Sequence, residues 1–242
     1  AYEEGMKQLE LGQSLMAVKK FNEAELLFPQ SKWAPRAAIM SAYSYYDFGY
    51  YNEAIGEIDR FLKTYPISNR KNYAYYIKAM SYYNQIVDEK KDLGPIIEAK
   101  KNFQFIISEY PNSDYAMDAN FKLELIEEIL AAKEMHIGRF YIEKGKWIPA
   151  INRFKKVIDD YERTIYAEEA LHRLVEVYYT IGFVEESKKY AAILGYNYQS
   201  GEWYKNSYRV FNKNYKKIRK KKDNKKNKSL IKRIKSLIVN NE

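Results

Sequence analysis

Arg60 and Lys63 stand one helical turn apart in "EIDRFLKTYP" (57–66). Two cations at that spacing are suited to receiving a peptide's C-terminal carboxylate, and equally to forming a solvated helix face. Little else in the chain has the makings of chemistry. The two histidines, His136 and His172, lie in separate segments with no second ligand at metal spacing, so both are expected to be structural. Adjacent acids, Glu127-Glu128 and Asp159-Asp160, read as solvated helix surface rather than as an acid/base pair. Cysteine is absent, which excludes a disulfide framework, a thiolate metal site and a cysteine nucleophile. No nucleophile elbow, phosphate loop, dinucleotide fingerprint or His-Glu-x-x-His occurs, and the ten glycines are scattered. The expectation is a protein without enzymatic activity, cofactor or metal.

The net charge of +9 resembles a nucleic-acid footprint until it is located. From Lys205 onward there are fifteen Lys and Arg against Asp223 and Glu242, whereas residues 1–204 hold 26 basic and 30 acidic side chains. The body is mildly acidic and the tail supplies the basicity, so nucleic acid is not expected as a ligand. No apolar run approaches the ~20 residues of a membrane helix. The opening "AYEEGMKQLE" has neither a basic n-region nor an apolar h-region, so these residues are not expected to form a signal peptide.

The elements that must position any site come from a repeat. An aromatic pair spaced five apart recurs as Phe28/Trp33, Tyr110/Tyr115, Tyr161/Tyr166 and Tyr198/Trp203, in "FPQSKWAPRAAIM", "YPNSDYAMDANF", "YERTIYAEEALH" and "YQSGEWYKNSYR". Measured from the residue after the first aromatic, small residues fall at fixed offsets and give a period of 37, broken by insertions of eight and fourteen. Within a unit, Gly5, Ala42, Ala79 or Gly138 lets helix A approach its partner, and a glycine about seven later ends that helix in the left-handed region. An Ala, aromatic and apolar trio at i, i+4 and i+7 then forms one face of helix B, for example Ala150, Phe154 and Val157. Pro29, Pro66 and Pro111 stop that helix, because the residue before proline is pushed out of the α region. Ser31 and Ser113 are expected as N-caps of the next helix, and the aromatic pairs as plugs of the crease between units.

This pattern resembles the tetratricopeptide (TPR) repeat, stretched by three residues. It predicts an all-α fold, a TPR-like α-hairpin solenoid of five repeats. The insertion near "NQIVDEKKDLGP" (84–95) reads as a longer loop. The one near "KLELIEEILAAKEM" (122–135) is close to four helical turns of good helix formers, so a long helix is expected to join repeats 1–3 to repeats 4–5. The organisation expected is residues 1–111 as units one to three, 112–209 as units four and five, and 210–242 as a basic tail. A peptide-binding groove is the function such a stack allows. Twenty-five tyrosines, clustered in "AYSYYDF" (42–48) and "NYAYYIKAMSYY" (72–83), offer rigid apolar bodies with polar tips to line it; compositional bias toward Tyr, Lys, Asn and Ile is the competing explanation.

Longer stretches carry a family resemblance: "FPQSKWAPRAAIMSAYSYYDFGYYNEAIGEIDRFLKTYP", "NYAYYIKAMSYY", "YPNSDYAMDA", "LAAKEMHIGRFYIEKGKWIPAINRF" and "EEALHRLVEVYYTIGF". Over about residues 2–209 the chain resembles the BamD family of TPR lipoproteins of the outer-membrane β-barrel assembly machinery. The resemblance implies a non-enzymatic scaffold on the periplasmic face of the outer membrane, tethered by an acylated N-terminal cysteine. It implies two partners: the C-terminal β-signals of unfolded outer-membrane proteins, and the POTRA region of the barrel protein BamA. Carried over by position, Phe28 takes the family's aromatic-before-proline place, Arg60 its Asp-Arg-Phe arginine and Lys63 a basic position one turn on. With Tyr45 these are the expected peptide-binding residues. Arg153, in "AINRF", matches the arginine that faces BamA. A generic TPR adaptor, or an anionic-surface or nucleic-acid binder acting through the tail, is the alternative.

The resemblance does not cover the tail. "YKKIRKKKDNKKNK" (215–228) holds nine Lys and Arg against Asp223, too dense in like charge to fold by itself. In "SLIKRIKSLIV" (229–239), Leu230, Ile231, Ile234, Leu237 and Ile238 fall on one helical face, flanked by Lys232, Arg233 and Lys235. A short basic amphipathic helix that meets an anionic membrane surface is the reading preferred, an acidic protein partner the next.

Overall fold

The computed structural model describes residues 1–86, 93–199 and 201–211, and eleven α-helices occur among them, without a strand. The expected amphipathic helix at 229–239, and residues 87–92 of the expected long loop, lie outside the described residues. Two compact units divide between Leu130 and Ala131. The first contains α1 (Tyr2–Glu10), α2 (Ser14–Leu27), α3 (Ala34–Asp47), α4 (Tyr51–Thr64), α5 (Lys71–Tyr83), α6 (Gly94–Glu109) and the start of α7 (Asp114–Glu143). The second contains the rest of α7, then α8 (Trp147–Asp160), α9 (Tyr166–Thr180), α10 (Val184–Asn197) and α11 (Glu202–Val210).

Four hairpins turn as the repeat requires. Gly12, Gly49, Gly145 and Gly182 have φ of 71°, 86°, 68° and 93°, immediately after α1, α3, α7 and α9. At Gly49 the glycine N–H donates to Tyr46 O and the Tyr50 N–H to Tyr45 O, both at 2.9 Å, which closes the end of α3 as a Schellman motif. The opposite ends share another geometry. Phe28, Tyr65, Tyr110, Tyr161 and Tyr198 are the C-caps of α2, α4, α6, α8 and α10, with φ of −138°, −125°, −132°, −137° and −134°. The same backbone is therefore kept at Tyr161 and Tyr198, where Glu162 and Gln199 follow instead of proline. Proline favours this turn but is not what makes it.

The small residues sit at helix crossings. Gly5 is buried with its α-carbon against the Phe21 ring, and Gly138 is likewise buried against Phe154; a Cβ on either would come within 2.8 Å or 2.5 Å of ring carbons. Ala42 and Ala79 are fully buried, as are Phe21, Phe61, Phe103 and Phe154 of the B helices. The fourteen-residue insertion is continuous helix: α7 runs for 30 residues. Its Ala116, Ala119 and Ile126 close the core over Phe103 and Ile106 of α6.

Two expectations fail locally. Ser113 does cap α7, its Oγ accepting the Ala116 N–H at 3.2 Å. Ser31 does not cap α3: its Oγ accepts the Trp33 N–H at 3.3 Å within the turn, and α3 starts later, at Ala34-Pro35. The first aromatic pair does not plug its crease either. Phe28 is 67 % exposed and Trp33 43 %, while the Tyr2 ring packs 5.2 Å from Trp33 and 5.4 Å from buried Phe21.

Candidate functional site: two cavities beside the turn from α2 to α3

The turn between α2 and α3 is walled on one side by an apolar cavity and on the other by a cationic cleft. The cavity, about 530 Å³, is lined by Tyr2, Ala24, Leu27, Phe28, Ser31 and Trp33, with Ala1 and Glu3 at its rim. The cleft, about 600 Å³, lies between Lys32, Pro35 and Arg36 and the whole turn from Thr64 to Arg70. Arg36 lays its guanidinium 5.0 Å from the Trp33 ring centre, so the two residues together form the partition. Leu26, Leu27 and Phe28 are 79 %, 57 % and 67 % exposed, a contiguous bare apolar stretch of the kind that marks an interaction site.

Of the four residues expected to bind peptide, Phe28 lines the apolar cavity. Lys63 is exposed on the last turn of α4. Tyr45 is half-buried on α3 and lines neither cavity. The Arg60 side chain is 40 % exposed, and its guanidinium is held by two neighbouring carboxylates. Its Nη1 and Nη2 donate to Oε1 and Oε2 of Glu25 at 2.8 Å each, and its Nε donates to Glu57 at 2.9 Å. The Tyr65 hydroxyl donates to the same Glu25 at 2.8 Å. Burial pushes the Glu25 carboxyl up, but the hydrogen bonds from Arg60 and Tyr65 and the guanidinium charge pull harder, and the net shift is downward. Burial and the Glu25 carboxylate push the Tyr65 phenol up to about 12. This cluster ties α4 and its C-cap to α2, and so fixes the walls of both cavities.

The tyrosines do form a row. Tyr43 and Tyr46 of α3, Tyr73 and Tyr76 of α5 and Tyr115 of α7 are half-buried, with ring centres 4.9 to 6.5 Å apart along the sequence Tyr46–Tyr43–Tyr73–Tyr115–Tyr76. Tyr76 donates its hydroxyl to Asp118 at 2.7 Å, and Tyr46 accepts from Asn84 at 3.1 Å.

In the second unit Arg153 donates from Nη1 to Glu134 at 2.9 Å, and Lys156 reaches the other oxygen of Glu134 at 3.1 Å. The Arg153 side chain is 38 % exposed and that of Glu134 only 11 %. His172 is buried, sharing a 2.8 Å hydrogen bond with Ser207 and packing 5.1 Å from Trp203, while His136 is exposed. Among the described residues no group of three or more His, Cys, Asp or Glu could hold a metal ion.

Sequence reasoning did not single out Tyr2, Lys32, Arg36 or Arg70. A signal for the three cations was present: residues 26–46 and 60–87 contain no acid at all, in a body that is otherwise net acidic.

Residues 1–194 match the model of a family described as YfiO, outer membrane lipoprotein. The chain is 42 % identical over 213 residues to the outer membrane protein assembly factor BamD of Caulobacter vibrioides, covering 88 % of this chain and 70 % of that one. It is 40 % identical over 214 residues to the BamD of Rickettsia prowazekii, covering 88 % and 85 %. Among solved structures, the thermophilic TPR protein TTC0263 of Thermus thermophilus aligns at a TM-score of 0.40 and 17 % identity over 86 % of this chain and 96 % of that one. MamA aligns at 0.39 and 18 % over 88 % and 96 %.

Proposed function

The chain belongs to the YfiO family of outer membrane lipoproteins, and from that membership we propose that it is a non-enzymatic scaffold of outer-membrane protein assembly. Its first unit receives the C-terminal β-signal of an unfolded outer-membrane protein, and its second unit holds the POTRA region of BamA. The observation that carries the peptide reading is the bare aromatic cavity of Tyr2, Leu27, Phe28 and Trp33. A β-signal ends in an aromatic residue, and an apolar cavity of this size accepts one ring with room for the side chains before it. The tyrosine row offers further stacking surface within the same unit.

Roles within this site differ from residue to residue. Phe28 contacts the ligand. Lys63, exposed one turn beyond Arg60, supplies positive charge to the peptide. Arg60 acts through Glu25, as a positioning residue that holds α4 against α2. Tyr45 contributes from α3. Arg153 pairs with a BamA carboxylate from the face on which it already pairs with Glu134; a guanidinium has five donors, enough for both. On this proposal the protein lies at the periplasmic face of the outer membrane, held by a lipid anchor.

The test is binding of a fluorescent peptide that ends in Phe, read by anisotropy against the same peptide ending in Ser. A clear preference for the Phe peptide supports the reading. Equal binding of the two, or of neither, retires it.

A further inference from the structure

We propose that the edge built by the α2–α3 and α4–α5 turns docks on an anionic phospholipid bilayer, the cationic cleft taking a lipid phosphate and Ile67 entering the acyl region. The cleft is a different cavity from the one assigned to the peptide, and three features of it are unused by that assignment. First, Lys32, Arg36 and Arg70 all line it, and among the described residues none of the three stands in an ion pair. Some other cations of the unit are paired, as Lys20 is with Glu4 and Glu23 and Lys78 with Asp59, and others such as Lys63 and Lys71 are not; what sets these three apart is that they line one opening. Second, the stretches that supply the cleft, 26–46 and 60–87, carry Lys32, Arg36, Arg60, Lys63, Arg70, Lys71 and Lys78 with no acid between. Third, Ile67 lines the same cleft and is 97 % exposed, the barest large apolar side chain described.

These features belong to one kind of ligand. A phosphate alone explains the cations and leaves Ile67 in water. An apolar partner alone explains Ile67 and leaves three cations unmatched. A phospholipid surface presents both, anion outside and hydrocarbon just beneath, at the separation of a headgroup. The backbone supports the anion: Pro35 and Arg36 lie in the first turn of α3 and Arg70 is the N-cap of α5, and neither helix start has a side-chain cap.

The absence of cysteine makes the test local. Ile67→Cys in residues 1–242, labelled with an environment-sensitive fluorophore, is mixed with phosphatidylcholine vesicles with or without about 30 mol% phosphatidylglycerol, at roughly 0.1 M and 0.5 M salt. Emission is expected to rise with the anionic vesicles at low salt and to fall back at high salt. Arg36→Gln with Arg70→Gln is expected to weaken that response by roughly tenfold or more, circular dichroism staying unchanged. Lys32→Gln with Arg70→Gln, which leaves the Trp33 contact intact, is the second variant should the first fail to fold. Co-flotation with anionic vesicles and no change in emission would mean that the tail binds alone, and overturns the proposal. So does an equal response to inorganic phosphate without vesicles, which makes the cleft a free-anion site. Loss of the vesicle response on adding the Phe-terminated peptide overturns it too, since the cleft would then be part of the peptide site.

Discussion

Arg60 and Glu25, 35 residues apart on the second helices of neighbouring hairpins, meet in a two-pronged ion pair with both N–O distances at 2.8 Å. The Glu25 side chain is 11 % exposed and that of Arg60 40 %, so the carboxylate is the partner that depends on the contact. Arg60→Ala leaves that carboxylate held only by Tyr65. The expected loss is about 1–3 kcal/mol, reduced from a fully buried pair by the solvent around the guanidinium. Arg60→Lys restores only part of it, because an ammonium cannot make two parallel bonds. Urea melts of the three proteins check this, and equal midpoints would contradict it.

The same cluster predicts where stability is lost with pH. The folded Glu25 carboxyl titrates below its ordinary value of about 4.3, so its contribution is present above that value and disappears as pH falls through the lower, folded one. Tyr65 works in the opposite direction. Its folded value of about 12 lies above the usual ~10, so its contribution is complete below pH ~10 and disappears as pH rises toward 12. Burial raises Tyr73 and Tyr76 as well. Thermal melts should fall off at both ends, and phenolate absorbance should show a tyrosine class titrating late in the folded protein. Arg60→Ala should blunt the acid limb. An acid limb of unchanged shape in that variant would remove Glu25 as its cause.

Two glycines in helices should respond to alanine with opposite sign. Gly138 meets fully buried Phe154, and an added Cβ would lie 2.5 Å from a ring carbon that has no room to retreat. Gly138→Ala should cost about 1–3 kcal/mol, beyond the gain in helix propensity. Gly56 is exposed in α4 with nothing within 4 Å of the added carbon. Gly56→Ala should stabilise by about 0.5–1 kcal/mol. Melting temperatures moving in the same direction for both would mean that the crossing at Gly138 is not as tight as described.

What could be read in the sequence was what the chain decides locally or repeats. Gly12, Gly49 and Gly145 follow from the period, because a left-handed residue is a backbone demand that few side chains meet, and Gly182 turns out to do the same after α9. The fourteen-residue insertion kept helical phase and became part of α7. Contacts between repeats were not legible. Nothing in "EIDRF" says that Arg60 will be taken by Glu25, since that depends on how two hairpins stack. Phe28 has the same place in its repeat as buried Tyr161, yet it is exposed while Tyr2 fills the space beside Trp33. The cleft shows the same limit. Its cations come from residues 32–36 and 70, and only the fold brings them to one opening.

Phe28 offers a clean separation of binding from folding. With two-thirds of its surface already in water, its removal opens no cavity in the core. Phe28→Ser should leave the melting temperature within about 2 °C, the equivalent of roughly 0.5 kcal/mol for a chain of this size. On the proposed function it should weaken the Phe-terminated peptide about tenfold, the usual effect of losing an aromatic contact in a cavity. The Ser-terminated peptide should bind both proteins alike. Undiminished binding of the Phe peptide would take Phe28 out of the site.

Arg153 poses the matching question in the second unit, and Lys156 makes it answerable. Both cations hold Glu134, at 2.9 and 3.1 Å, so removing Arg153 leaves the buried carboxylate with a partner. Arg153→Ala should therefore cost the fold less than about 1 kcal/mol, although Arg153 with Lys156→Ala should cost about 1–3, since Glu134 is then unpaired. If the 38 % of Arg153 that faces solvent is what the BamA POTRA region contacts, the single variant loses a desolvated charge pair on binding. Such losses run at about 2–5 kcal/mol, thirtyfold and upward in affinity. Titration calorimetry with the isolated POTRA region, beside urea melts of the same variants, reads both quantities. The expected pattern is near-normal stability with affinity reduced at least thirtyfold, partly recovered in Arg153→Lys. Normal affinity in Arg153→Ala would leave Arg153 as a clamp on Glu134 alone, and a large loss of stability would mean that the affinity change reports folding rather than contact.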